Sequence, residues 1–169
     1  MKSIYVALLT VLMLSCNSNN KKAEAKRESQ ESKIEVIRFP QLEKELHPTG
    51  NTIHIINFFA SWCIPCIEEL PFFEEINAQY KTKDVNVLLV SLDFKEDLET
   101  KLRPILTKKK IASTVKLLDE TDYNSWIPHV DADWDGAIPY TLIIHNDDIK
   151  RFYGSITADT LKKYIDQNI

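Results

Sequence analysis

Two segments of the sequence are apolar at almost every position and rich in β-branched and aromatic side chains. They are IHIINFF at residues 53–59 and VNVLLVSL at residues 85–92. Strands that are apolar on both faces are typical of sheets covered by helices on both sides. Residues 64–80, between them, carry apolar side chains at helical spacing. This order of strand, helix and strand predicts a right-handed βαβ unit.

The next part of the chain combines signals for a helix and a strand. Residues 96–110 begin with acidic side chains and end in lysines, the order that the helix dipole favours. This predicts a second helix, which Pro104 is expected to kink. Residues 115–118 predict a short third strand, and residues 122–127 predict a helical turn that Pro128 ends.

The C-terminal part of the chain predicts a hairpin followed by a helix. The segments 140–145 and 149–153 flank a polar Asn-Asp-Asp turn, which is the pattern of a β-hairpin. Thr157 is expected to cap a final helix that ends near Gln167. The complete order, βαβα(β) followed by ββα, predicts a single α/β domain over residues 34–169.

Composition excludes several classes of function. The chain of 169 residues is 44% apolar and 27% charged, as is typical of a globular protein. Its net charge of −4 is too weak to attract nucleic acid. Its three glycines are isolated from one another, which argues against a phosphate-binding loop. Three cysteines exclude a dense disulfide framework, and no cofactor is expected.

Residues 1–15 have the pattern of an export signal. Lys2 precedes an apolar run over residues 4–14 that is short for a membrane span, and the small Ser15 precedes Cys16. This segment resembles the lipobox of bacterial lipoproteins, in which the cysteine is lipid-modified and becomes the new N-terminus. The resemblance implies that Cys16 is a lipid anchor; a plain signal peptide or an uncleaved anchor is the alternative. Lipidation would also leave two thiols and no odd one.

A flexible tether is expected after the anchor. Residues 17–33 contain no aromatic side chain, and their only apolar residues are two alanines. Such a segment cannot bury enough apolar surface to offset the entropy of ordering it. The chain is therefore expected to consist of a signal peptide over residues 1–15, the anchor cysteine and tether over residues 16–33, and the α/β domain over residues 34–169.

The two remaining cysteines stand three residues apart, soon after the first predicted strand, in the motif Trp62-Cys63-Ile64-Pro65-Cys66. A helix that begins near Cys63 presents unpaired N–H groups and a partial positive charge, and both stabilise a thiolate. Pro65 fits the first helical turn, where its missing N–H matters little. We therefore expect Cys63 to be an exposed attacking thiol and Cys66 to be a deeper, resolving thiol.

Two other uses of the cysteine pair are open at this point. A zinc or copper site would need further ligands, but the sequence has no second C-x-x-C, and its histidines, at positions 47, 54, 129 and 145, are scattered. No metal is therefore expected. A purely structural disulfide would close a loop so small that it would stabilise the fold little.

A resemblance to a known family makes the motif more specific. Residues 57–66, NFFASWCIPC, resemble the active-site segment of the thioredoxin superfamily, in the variant of the TlpA/ResA-like extracytoplasmic thiol–disulfide oxidoreductases. Residues 136–141, GAIPYT, resemble the cis-proline segment of the same family. The likeness covers about residues 34–169. It implies a thioredoxin-like fold, in which helices flank a central mixed sheet.

The same resemblance implies which residues contact a substrate. Pro139 is expected to be cis and to face the disulfide, and the backbone of Ile138 is expected to pair with substrate like an added strand. Trp62 is expected to flank the exposed sulfur, with packing in the core as its alternative. Ile64 and Pro65, between the cysteines, complete the expected substrate-binding surface.

A proton acceptor for the resolving thiol is expected at Glu69. Cytoplasmic-type thioredoxins use a buried Asp in the strand before the motif, but this chain has Asn57 there, which cannot accept the proton. ResA-like members place a glutamate three residues after the second cysteine, and Glu69 matches it; a solvated helix acid is the alternative. A carboxylate there would raise the pKa values of the thiols, against the effect of the helix dipole. Pro71 is expected to kink the same helix.

The direction of electron flow is predicted from what the motif lacks. Oxidants of the DsbA type carry His between the cysteines and a large helical insertion, and this sequence has neither, so a reductase is favoured. The expected substrates are cysteine-containing exported proteins, for example apocytochrome c, and a membrane dithiol donor would re-reduce the chain. We expect a monomeric lipoprotein that faces the periplasm and does not bind nucleic acid.

Two alternative functions stay open. A thiol peroxidase of the same fold would carry an activating Thr three residues before its attacking cysteine, where this chain has Ala60. A non-catalytic module that binds copper or a partner protein is the second alternative. Copper carriers of this kind resemble a C-x-x-x-C motif with a remote His, and the spacing here is one residue shorter.

Overall fold

The computed structural model describes residues 34–169, in which six strands form one mixed sheet. In chain order they are β1 (Ile34–Ile37), β2 (Ile53–Phe59), β3 (Val85–Ser91), β4 (Thr114–Leu118), β5 (Tyr140–His145) and β6 (Asp148–Tyr153). Their order across the sheet is β1-β4-β3-β2-β5-β6. The first four are parallel to one another, whereas β5 is antiparallel to β2 and β6 is antiparallel to β5. The strand that leads into the cysteine motif, β2, therefore lies inside the sheet.

Helices cover both faces of this sheet. They are α1 (Phe39–Leu46), α2 (Ile64–Tyr80), α3 (Arg103–Lys109), α4 (Tyr123–Val130) and α5 (Ala158–Asn168). One buried cluster joins β2 to α2, α3 and α5, and a second joins β2 to α1 and α4. Side chains of β2 alternate between the two clusters, with Ile55 and Phe59 in the first and Ile56 and Phe58 in the second. This alternation explains why the strand is apolar on both faces.

The predicted α/β class is confirmed, and the predicted elements follow one another in the predicted order after β1 and α1, which were not predicted. β2 and α2 have the predicted bounds, and α2 continues through Pro71 to Tyr80. The predicted hairpin is formed by β5 and β6. Thr157 caps α5, because its side chain accepts a hydrogen bond from the Thr160 N–H. Local patterns were sufficient for these elements.

Two predictions at prolines are corrected. The helix predicted over residues 96–110 is divided into a 3₁₀ turn (Lys95–Asp97), a π-helical turn (Leu98–Leu102) and α3. Pro104 is the second residue of α3, a position at which an N–H would have no hydrogen-bond partner within α3 itself. The helical turn predicted to end at Pro128 is instead α4, which includes this proline. Because Pro128 stands in the last turn, few hydrogen bonds depend on it, and the Asp131 N–H still bonds to the Ile127 carbonyl.

Two elements were not predicted at all, β1 and α1. The strand β1 has four residues and lies at the edge of the sheet beside β4, so its apolar pattern is too short to read from sequence. The predicted signal peptide, Cys16 and the tether over residues 16–33 lie outside the described residues. Within residues 34–169, no helix has both the length and the apolar character that crossing a membrane requires.

Candidate active site

The cysteine pair lies where β2 ends and α2 begins. A turn closed by the hydrogen bond from the Cys63 N–H to the Ala60 carbonyl (3.1 Å) connects the two elements. Cys63 is the N-cap residue of α2, and its carbonyl accepts a hydrogen bond from the Ile67 N–H at 3.1 Å. A disulfide joins Cys63 to Cys66, with 5.3 Å between their Cα atoms. The prediction of a helix that begins at the motif is confirmed.

The exposure of the two cysteines differs less than the sequence predicts. Cys66 is 0% exposed and Cys63 is 6% exposed. Cys63 is the more accessible of the two, but it is not the exposed residue that was expected. Its Sγ lies 3.8 Å from the carbonyl oxygen of Ile138, so the segment before Pro139 covers it. A substrate sulfur must therefore approach Cys63 beside this segment.

Two large apolar side chains next to the accessible cysteine are exposed to solvent. Trp62 is 62% exposed and Ile64 is 72% exposed, and Pro65 is exposed as well. The alternative for Trp62, packing in the core, is therefore wrong. The Ile138–Pro139 peptide bond is cis, the isomer that the resemblance implies. Exposed apolar groups that lie together often mark a binding surface, and the substrate-binding roles of these residues stay predictions.

Glu69 is buried one helical turn after the resolving cysteine. It is only 2% exposed. Its Oε1 accepts a hydrogen bond from Asn57 Nδ2 on β2 (2.9 Å), and its Oε2 accepts one from the Ile156 N–H (3.1 Å). The neighbouring Glu68 is exposed. The alternative for Glu69, a solvated helix acid, is therefore wrong.

The surroundings of Glu69 change its acidity. Burial raises the pKa of Glu69 to about 7, although the hydrogen bonds from the Ile156 N–H and the Asn57 amide act in the opposite direction. A carboxyl group with such a pKa exchanges its proton readily near neutral pH. Its spacing of three residues places it on the same face of α2 as Cys66. The geometry suits Glu69 to the predicted proton-handling role, which stays a prediction.

Asp93 accepts hydrogen bonds from the turn that carries the motif, and it was not predicted from the sequence. It follows β3, is 2% exposed, and accepts hydrogen bonds from the Ser61 N–H (2.9 Å), the Ser61 hydroxyl and the Ser91 hydroxyl (2.7 Å). Because β2 and β3 are parallel neighbours, the residues that follow these two strands lie close together at the C-terminal end of the sheet. A polar residue soon after the second predicted strand, at the same end of the sheet as the cysteine motif, is the signal that could have identified Asp93.

Asp131 anchors the segment that leads to the cis-proline and was also missed. Its Oδ2 accepts hydrogen bonds from the hydroxyls of Tyr140 (2.7 Å) and Tyr153 (2.6 Å), and Arg151 Nε lies 3.4 Å from its Oδ1. Burial alone would raise the pKa of Asp131, but the two tyrosine hydroxyls, the Asp133 N–H and the Arg151 charge outweigh burial, so the pKa is lowered. The contacts tie the end of α4 to the hairpin beside Pro139.

Comparison with protein families agrees with this arrangement of residues. The sequence model of the Redoxin family matches residues 43–152, a range that includes the cysteine motif and the cis-proline. The chain belongs to the Redoxin family. A relative of this Redoxin chain, the thiol-disulfide oxidoreductase ResA of Oceanobacillus iheyensis, is 30% identical over 119 residues, which cover 66% of this chain and 54% of that protein. The Redoxin chain thus spans about half the length of that relative.

Solved structures share the fold of this Redoxin chain. StoA from Bacillus subtilis matches with a TM-score of 0.55 at 21% identity, over 70% of this chain and 85% of that one. A thioredoxin-related protein from Neisseria meningitidis serogroup B matches with a TM-score of 0.58 at 17% identity, over 73% and 89%. At these identities the likeness shows the fold alone, and the predicted thioredoxin-like fold is confirmed. Together with the family match and the similarity to ResA, this fold agrees with the predicted resemblance to the TlpA/ResA-like members of the thioredoxin superfamily.

Proposed function

We propose that this chain is a thiol–disulfide oxidoreductase that exchanges the Cys63–Cys66 disulfide with cysteines of other polypeptides. One observation carries the proposal: the disulfide lies at the N-terminus of α2, with Cys66 fully buried and Cys63 beside Ile138. Disulfide exchange needs this asymmetry, because one sulfur must meet the substrate while the other resolves the mixed disulfide. The exposed Trp62 supplies apolar surface next to the reacting sulfur.

In the proposed reaction, the reduced chain donates two electrons to a substrate disulfide. The Cys63 thiolate attacks one substrate sulfur and forms a mixed disulfide, and the other substrate sulfur leaves as a thiolate that takes up a proton. Cys66 then gives its proton to Glu69 and attacks Cys63 Sγ. The internal disulfide forms, and the second substrate sulfur leaves and is protonated. The substrate ends with two thiols, and the chain ends as the Cys63–Cys66 disulfide.

Two groups of the chain support these steps. The N-terminus of α2 presents unpaired N–H groups and a partial positive charge at Cys63, and these stabilise the attacking thiolate. Glu69, with a pKa of about 7, is an acceptor for the proton of Cys66 when it is ionised and can return the proton when it is not. The chain therefore provides separate groups for attack and for proton removal.

The proposed direction is reduction. The residues between the cysteines, Ile64 and Pro65, are uncharged, and the His and helical insertion of DsbA-type oxidants are absent from the sequence. The proposed substrates are cysteine-containing exported proteins, such as those of cytochrome c maturation. A membrane dithiol donor would re-reduce the chain, which is proposed to act as a monomer in the periplasm.

A reduction assay tests this function. The reduced full chain, freed of reductant, is expected to reduce the disulfides of insulin while Cys63 and Cys66 become joined, with thiol counts as the readout. The double variant Cys63→Ser, Cys66→Ser is the control and should be inactive. A chain that exchanges no electrons with ordinary dithiols would refute the function. In a glutathione series, a potential nearer to about −120 mV than to about −270 mV would refute the reductase direction.

We also propose that the chain is exported and anchored to a membrane through Cys16. The signal-like pattern of residues 1–15 and the small Ser15 support this proposal. The intact mass of the chain from bacterial membranes is expected to match a chain that begins at Cys16 and carries two or three acyl groups. The Cys16→Ser variant should lack them. A wild-type chain that begins at Met1, or that is soluble and begins elsewhere, would contradict the anchor.

A further inference from the structure

Asn57 is a buried amide in β2, beside the second turn of α2. It is 0% exposed. Its Nδ2 donates hydrogen bonds to Glu69 Oε1 (2.9 Å) and to Thr141 Oγ1 on β5 (3.0 Å). Its Oδ1 is buried and has no hydrogen-bond partner within the described residues 34–169. The NH₂ group of the amide therefore makes two hydrogen bonds, whereas the carbonyl oxygen makes none in this part of the chain.

An unpaired buried oxygen destabilises a fold, so an amide at this position needs an explanation. The neighbouring positions of β2 are filled by apolar side chains, and a leucine, whose side chain has the same number and branching of heavy atoms, would leave no buried oxygen without a partner. What the amide has and leucine lacks is a donor and an acceptor that can exchange places by rotation about the Cβ–Cγ axis. That property matters only beside a group whose own hydrogen-bonding changes, and Glu69 is such a group.

We propose that Asn57 is a positioning residue for Glu69, with an amide that reverses its orientation when the carboxyl group gains or loses its proton. When Glu69 is ionised, Asn57 donates to it through Nδ2, as in the described structure. When Glu69 is protonated, the amide turns by half a rotation, and Oδ1 accepts the carboxylic acid proton. The inference rests on the proposed role of Glu69 as the acceptor of the Cys66 proton.

The other two contacts of this cluster decide where the proton lies. The Ile156 N–H points at Glu69 Oε2 (3.1 Å) and, as a backbone donor, cannot become an acceptor. The proton therefore belongs on Oε1, the oxygen that faces Asn57. The Thr141 hydroxyl can both donate and accept, so it accepts from Nδ2 in one orientation of the amide and donates to Oδ1 in the other. Each orientation gives Glu69 a matching partner.

Among the described groups that contact Glu69, the Asn57 amide is the one that can change from a hydrogen-bond donor to an acceptor. Glu69 accepts hydrogen bonds from Asn57 on β2 and from the Ile156 N–H in the loop before α5. The Asn57 amide in turn donates to Thr141 on β5. Burial raises the pKa of Glu69, and the two opposing influences are the hydrogen bonds from Ile156 and Asn57. The titratable groups of its own helix on this face are the thiols of Cys63 and Cys66 in the reduced chain. Asn57 therefore adjusts to Glu69 without any movement of the backbone.

A nuclear Overhauser measurement on the full chain in its disulfide form tests the inference directly. The Asn57 side-chain amide protons are expected to give a strong cross-peak to the Thr141 methyl group at about pH 9, when Glu69 is ionised. This cross-peak should weaken several-fold towards about pH 5, with the same midpoint as the Glu69 carboxyl ¹³C shift. Glu69→Gln, which resembles the protonated acid, should show the weak cross-peak at every pH. A cross-peak of constant intensity in the wild type would overturn the inference.

Substitution supplies a second test. In Asn57→Leu the ionised carboxyl group loses a charge-assisted hydrogen bond and the protonated group loses a weaker neutral one, so the Glu69 midpoint is expected to rise by up to roughly one pH unit. Thr141→Val is the matched control, because it removes the other partner of Nδ2 and leaves the contact to Glu69; its midpoint should stay unchanged. An unchanged midpoint in Asn57→Leu would overturn the inference. If that variant does not fold, the wild-type cross-peak decides.

These outcomes are separable from those of the proposed function. The spectra are recorded on the oxidised chain without substrate, so they do not depend on activity. An inactive chain that shows the pH-dependent cross-peak would refute the oxidoreductase proposal and leave the assignment of Asn57 standing. An active chain with a constant cross-peak would refute the assignment of Asn57 alone.

Discussion

Replacing Cys66 with alanine is expected to make Cys63 retain its substrates as mixed disulfides. The thiol of Cys63 still attacks a substrate disulfide, but the sulfur that would release the substrate is gone. Release then depends on external thiols, and uncatalysed disulfide rearrangement takes minutes to hours. The complexes should therefore accumulate in cells in which the wild-type chain forms none that are detectable.

Non-reducing gels of the exported fraction, followed by mass spectrometry of the bands that a reductant removes, measure this accumulation. Cys63→Ala is the matched control. It keeps Cys66, which is 0% exposed and should retain little or nothing. Absence of bound partners in Cys66→Ala would favour the non-catalytic module over the oxidoreductase. Equal amounts in the two variants would contradict the assignment of Cys63 as the attacking residue.

Glu69→Gln is expected to remove a pH dependence of folding stability. Burial raises the pKa of Glu69 from 4.5 to about 7, so between these values the folded chain holds a proton that the unfolded chain has released. The stabilisation from this group is fully present below about pH 4.5 and is lost as the pH rises through about 7. The complete loss is on the order of 3 kcal/mol, since one pKa unit corresponds to about 1.4 kcal/mol, and roughly 2–3 kcal/mol of it falls between about pH 5 and about pH 8. Glutamine cannot ionise, so the variant lacks this contribution to the loss of stability.

Denaturant titrations of the disulfide form at about pH 5 and about pH 8 measure the difference in the free energy of unfolding. The quantity to compare is the change between the two pH values in the variant and in the wild type, because other groups contribute equally to both. Glu68→Gln is the matched control, since Glu68 is exposed on the same helix, and it should follow the wild type. If Glu69→Gln loses as much stability as the wild type between these pH values, the assignment of Glu69 as a buried acid with a raised pKa would be contradicted.

The same substitution is expected to slow the second step of exchange. Without an acceptor for the Cys66 proton, resolution of a preformed mixed disulfide should slow by a factor of about 10² or more, the usual contribution of general base catalysis. Its dependence on pH near 7 should also disappear. Stopped-flow release of a labelled peptide from Cys63 follows this step. An unchanged rate and pH profile would exclude Glu69 from proton transfer.

Most of the fold follows from local patterns. The strand β2, the helix α2 and the hairpin of β5 and β6 are long enough for apolar periodicity and turn residues to define them. The division of the helix predicted over residues 96–110 into three segments could not be predicted from local patterns, because a proline shows only that a helix is interrupted. Whether the residues before it become 3₁₀, π or irregular depends on how they pack.

The candidate active site also contains residues that local sequence features indicate and residues that only tertiary packing decides. Cys63 and Cys66 were found from their spacing and from the helix that follows, which are both local features. Glu68 and Glu69 are identical in chemistry and adjacent in sequence, yet one is exposed and the other is buried against Asn57. Only the packing of α2 on β2 makes that choice. Asp93 was missed for a related reason, since its partner Ser61 is distant in sequence and close only across the sheet edge.

The resemblance to a known family indicated the segment that contains the cis-proline, and the sequence by itself determined the α/β class and the position of the cysteine pair at a helix N-terminus. These depend on spacing, charge and turn chemistry within a few residues of one another. The tertiary structure alone decided which carboxyl group is buried, how far Ile138 covers Cys63, and which partner the Asn57 amide has. Burial and hydrogen bonding are properties of surfaces that meet, and the surfaces that meet here come from elements far apart in the chain.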